Sequence, residues 1–124
     1  MEGRMDDTTT IEKLKKMVIS FRDERNWEQF HDPKNLAAWL SIESAELQEI
    51  FLWKSKDEIK ELLKSKDGNK KLSDELADIF VFLLYLSEAC GIDLSEAVIN
   101  KIKLNAKKYP VEKSYNSHKK YNEL

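Results

Sequence analysis

Two acidic pairs at the same spacing, Glu43 with Glu46 and Glu75 with Asp78, fall inside the apolar stripes of two predicted helices. At about 100° per residue, Glu43 projects among Leu36, Leu40, Leu47 and Ile50, and Glu46 lies one turn on, near the Trp39 edge. Glu75 and Asp78 flank Leu72, Ile79 and Phe82 in the same way. A carboxylate on such a face is costly unless something positive meets it. If the two helices face each other, four acids share one small volume, and mutual repulsion and desolvation both raise their pKa values. A hard divalent cation relieves the conflict. Mg²⁺ takes oxygen ligands in octahedral geometry and keeps positions for water and phosphate oxygens. No Cys or His cluster offers a zinc site, and a di-iron carboxylate bundle, built on Glu-x-x-His pairs, is disfavoured.

The elements that must position these acids are helices. Three Gly and two Pro in 124 residues leave few breakers, and the remaining composition predicts an all-α fold of one domain. Net charge is −2, with 21 basic and 23 acidic residues, so no overall field draws nucleic acid or an anionic membrane. Cys90 is the only cysteine. Its apolar neighbours predict a small buried hydrophobe, and a lone cysteine permits no internal disulfide. The longest strongly apolar run, Ile79 to Leu86, is too short to span a bilayer, and the N-terminus has no signal-peptide core. A soluble, cytoplasmic protein is expected.

Residues 1–8 read as a flexible N-terminus, 9–110 as a single helical catalytic domain, and 111–124 as a polar tail. A first helix is predicted from a Thr9/Glu12 capping box to about Arg25. Asp32 as N-cap and Pro33 at the first position predict a second helix to about Trp53. An exposed helix around Ile59, Leu62 and Leu63 follows, then a turn at Asp67-Gly68-Asn69. Ser73 is the expected cap of a third helix, ending at Gly91. Its 79–86 stretch is apolar on every side and predicts a subunit interface. Asp93 and Glu96 predict a fourth helix, stopped by Pro110, with Lys101, Asn105 and Lys108 on its apolar stripe. Near a carboxylate–metal cluster, such groups could hold triphosphate oxygens.

In chain order, Phe30 to Leu36, Glu43-x-x-Glu46-Leu47, Phe51 to Lys54, Glu75-Leu76-Ala77-Asp78 and Lys101-x-x-x-Asn105-x-x-x-Tyr109-Pro110 resemble the MazG-like all-α nucleoside triphosphate pyrophosphohydrolases. Among these the chain is most similar to the dCTP pyrophosphatase subgroup. The resemblance covers roughly residues 21–110. It implies a four-to-five-helix bundle assembled as a dimer or dimer of dimers. It also implies Mg²⁺-dependent cleavage between the α and β phosphates, giving a nucleoside monophosphate and pyrophosphate. By motif, Glu43, Glu46, Glu75 and Asp78 would be the catalytic metal ligands, and Lys101, Asn105 and Tyr109 would hold phosphates. Trp27, His31, Trp53 and Phe82 match the base pocket; the subgroup can carry Tyr at the last of these.

Blander readings compete with each assignment. Glu75 and Asp78 could simply favour a helix N-terminus, Trp27 and Trp53 could close helix ends by packing, and Lys101 could snorkel to water. Glu49 and Lys54 are expected in solvent. For the whole chain, the competing reading is a non-catalytic helical oligomerisation module.

Overall fold

The computed structural model describes residues 3–124; Met1 and Glu2, part of the predicted flexible N-terminus, lie outside them. Among the described residues the chain is all-helical: α1 (Ile11–Glu24), α2 (Pro33–Phe51), α3 (Lys56–Lys64), α4 (Lys66–Cys90), α5 (Leu94–Lys108) and α6 (Val111–Ser114), with single 3₁₀ turns at Met5–Asp7, Glu28–Phe30 and Tyr121–Glu123. The residues up to Gly91 form one compact unit and Ile92–Leu124 another, so α6 and the last 3₁₀ turn lie in what reads from sequence as a tail.

In the first unit α4 is the spine. α2 packs on it most extensively, and α1 and α3 add to it. Leu36 of α2 and Leu84 of α4 are fully buried where the helices cross, beside Tyr85. The Tyr85 hydroxyl donates to the Val18 carbonyl at 2.7 Å, tying α4 to α1. Arg22, 9% exposed, is held beside them by Asp23 at 2.8 Å and Glu28 at 3.7 Å. Such a small fully buried set leaves Leu76 and Phe80 exposed on α4.

Helix starts follow the capping chemistry, with two corrections. Asp32 caps α2 by accepting from Asn35 N, with Pro33 in the first turn as expected, and Asp93 caps α5 by accepting from Glu96 N. Thr10, not Thr9, caps α1, accepting from Lys13 N. Three adjacent threonines offer equivalent hydroxyls, and the register is set by which one leaves the apolar stripe facing α4. The larger correction concerns α4, which begins at Lys66 under a Ser65 cap, so neither a Ser73 cap nor an Asp67-Gly68-Asn69 turn exists.

Gly68 is needed for room rather than for a turn. It is buried, and a Cβ there would collide with the Leu62 carbonyl oxygen and approach Ser65 Oγ to 2.6 Å. The glycine lets α3 close tightly onto the start of α4. Gly68→Ala should therefore cost about 2 kcal/mol or more despite the better helix propensity of alanine, read as a lower urea midpoint at unchanged slope. Cys90 is also corrected: it is exposed at the last position of α4. The apolar stretch that predicted its burial turns its packed side elsewhere before Gly91, at φ 66°, ends the helix.

Candidate metal and nucleotide site

Glu43 lies in the middle of α2 and Glu75 and Asp78 lie one turn apart on α4. Packing α2 on α4 brings a carboxylate oxygen from each within 4.8 Å of the other two. Glu43 Oε2 and Glu75 Oε2 are buried and accept no hydrogen bond. Buried polar atoms are nearly always satisfied, so two orphaned oxygens on neighbouring carboxyl groups need an explanation. Electrostatics sharpens the point. Glu43 is pushed up to about 7, first by desolvation and then by the neighbouring carboxyl groups of Glu75 and Glu46. An oxygen-only set of this kind fits a hard divalent cation. Glu46 interacts with Glu43 but is exposed and outside the three-residue group.

The acids stand between two cavities. One, of about 970 Å³, is bordered by Glu43 and Asp78 and walled by aromatic side chains that include Trp27, Phe30, Trp39, Phe82 and Tyr85. His31 lies in it, its ring centroid 4.5 Å from Tyr85 and 6.0 Å from Trp39, and Trp39 is 6.0 Å from Phe82. Burial lowers the His31 pKa, the Arg22 cation lowers it further, and Glu28 opposes weakly, so the imidazole is neutral near pH 7. Its Nδ1 is buried without a partner. The smaller cavity, of about 460 Å³, is bordered by Glu46 and Glu75 together with Glu49, Lys54 and Lys71.

Trp27, His31 and Phe82 thus line one cavity, but Trp53 does not: it is 92% exposed, with φ 65°. A left-handed conformation is uncommon for a bulky residue. Lys101 and Asn105 are exposed on α5 and Tyr109 is its C-cap, all in the second unit. Glu28 and His31 do share a Glu-x-x-His spacing, but Glu28 pairs with Arg22 and the only other histidine, His118, follows Tyr115 at that spacing. The sequence reading missed Trp39, Tyr85 and Asn35 as cavity residues. Trp39 was within reach, because it precedes Glu43 by four positions and so shares its face. The other two needed the helix packing.

Residues 39–124 match the MazG-like family. Mouse dCTP pyrophosphatase 1 is 38% identical over 121 residues, covering 98% of this chain and 71% of the mouse protein. The human dCTP pyrophosphatase 1 is 37% identical over 115 residues, covering 93% of this chain and 68% of the human one. Among solved structures, a pyrophosphatase from Archaeoglobus fulgidus aligns with a TM-score of 0.74 at 44% identity, over 81% of this chain and 92% of that one.

Proposed function

This chain belongs to the MazG-like family and is a nucleoside triphosphate pyrophosphohydrolase, and from that premise we propose that it is Mg²⁺-dependent, prefers dCTP-like substrates, and cleaves between the α and β phosphates. The observation that carries the reading is the junction itself: three converging carboxylates, two with orphaned oxygens, at the mouth of an aromatic cavity. Mg²⁺ held by Glu43, Glu75 and Asp78 would supply the positive charge that offsets the triphosphate and favours ionisation of the attacking water.

The chain's own residues do the rest. Trp27, Trp39 and Phe82 give the base faces to stack on, worth about 1 to 3 kcal/mol each by analogy with single-strand binders. Neutral His31 offers a hydrogen bond without drawing the anionic phosphates into the base cavity. The water oxygen attacks the α phosphorus, the bond to the bridging oxygen breaks, and pyrophosphate leaves. Glu46, outside the three-residue group, takes the water's proton. Lys54 and Lys71, at the smaller cavity, offset the charge of the departing pyrophosphate. Lys101, Asn105 and Tyr109 remain proposed phosphate contacts.

Assembly as a homodimer or homotetramer is part of the same proposal. Leu76 and Phe80 on α4 and Val98, Ile99 and Ile102 on α5 are exposed apolar residues that a neighbouring subunit would cover. Trp53, outside its own chain's cavity, would act from such a neighbour. No helix among the described residues is long and apolar enough to cross a membrane. A single cysteine suits a cytoplasmic setting, and the near balance of charges gives no overall field that would draw nucleic acid.

A panel of ribo- and deoxynucleoside triphosphates, incubated with and without Mg²⁺ and resolved by product, tests the proposal. Monophosphate and pyrophosphate should form in equal amounts from dCTP only when Mg²⁺ is present. Orthophosphate without pyrophosphate refutes the cleavage position, and no nucleotide turnover refutes the activity.

A further inference from the structure

We infer that Asn35 reads the base, its amide oxygen accepting a hydrogen bond from the 4-amino group of a cytosine and opposing the 4-carbonyl of uracil or thymine. The inference rests on the proposed nucleotide site. Asn35 lines the aromatic cavity from the first turn of α2. Its Nδ2 donates to the Phe30 carbonyl at 3.3 Å and to Asp32 Oδ2 at 3.0 Å, while its backbone N donates to Asp32 Oδ1 at 2.9 Å. A carbonyl and a carboxylate only accept, so the amide has one orientation: the nitrogen must face them. Both Nδ2 hydrogens are then used. The oxygen accepts no hydrogen bond from any described residue, and it is the one polar atom Asn35 has left to offer the cavity.

Position fits this role. Asn35 precedes Glu43 by eight residues, about 12 Å along the helix axis, which separates an end where phosphates must sit from an end where a base can. The cavity between is mostly aromatic and aliphatic, with the Tyr85 hydroxyl committed to Val18 and His31 as a further polar side chain on its wall. A fixed acceptor discriminates because cytosine presents a donor at C4 and uracil or thymine an acceptor. Matched, it gains a hydrogen bond; mismatched, two oxygens face each other and repel.

The test compares dCTP with dUTP and with the deoxynucleoside triphosphate of pyrimidin-2-one, which has hydrogen in place of the 4-amino group. Wild-type kcat/KM should favour dCTP over the pyrimidinone by about tenfold, and Asn35→Ala should bring that ratio to about one. If Asn35 only braces the start of α2, the variant slows all three substrates together and the ratio persists, which overturns the inference. A wild-type ratio near one overturns it without recourse to any variant. Calorimetric affinities for dCMP and dUMP give the same comparison without turnover. A preference for dCMP in a protein that hydrolyses nothing would sink the proposed activity and keep Asn35. Equal turnover of dCTP and dUTP would do the reverse.

Discussion

Glu43→Gln and Asp78→Asn should each lower kcat by about three orders of magnitude, because removing one charged ligand removes several kcal/mol of charge stabilisation on the triphosphate. The fold should survive. For Glu43 the direction of the stability change follows from its pKa, raised in the folded chain to about 7 from an ordinary 4.5. Between those values the folded state holds the proton more tightly than the unfolded state, so metal-free stability falls as pH rises through that window. Gln carries no such penalty. In EDTA at pH 8, urea unfolding should therefore find Glu43→Gln at least as stable as wild type, with the advantage shrinking by pH 4.5. Variants that keep a tenth of wild-type turnover would remove these acids from the chemistry.

Mg²⁺ itself should raise the melting temperature on the order of 10 °C at a hundred times its dissociation constant, the linkage value of about 2.7 kcal/mol spread over the unfolding entropy of a chain this size. The increment has a pH sign. A cation must displace the proton Glu43 holds below pH 7, so the Mg²⁺-induced shift should be full at pH 8 and shrink as pH falls toward 4.5. Melting curves in EDTA and in Mg²⁺ at pH 8 and pH 5.5 measure it directly. Glu43→Gln should lose most of the shift at both. A shift of equal size in wild type and Glu43→Gln would place the cation elsewhere.

Much of the site is local and was therefore legible. The spacings of Glu43 with Glu46 and Glu75 with Asp78 put acids on helix faces that ought to be apolar, a contradiction visible in one dimension. Asp32-Pro33 and Asp93 start their helices as their chemistry requires. Where several local solutions compete, as at Thr9 and Thr10 or Ser65 and Ser73, packing chooses: α3 closing on the start of α4 makes Gly68 a helical residue instead of a turn.

By itself the sequence determined an all-helical chain with carboxylates in its stripes, because periodicity and capping act over a few residues. Only the tertiary structure decided which acids converge, and it drew Glu43, Glu75 and Asp78 together while leaving Glu46 outside the group. It alone lowered the His31 pKa through partial burial, left Cys90 and Trp53 exposed, and turned the Asn35 amide with its oxygen free. The reason is that distance and desolvation depend on how α1, α2 and α4 cross. No spacing along one helix encodes that crossing.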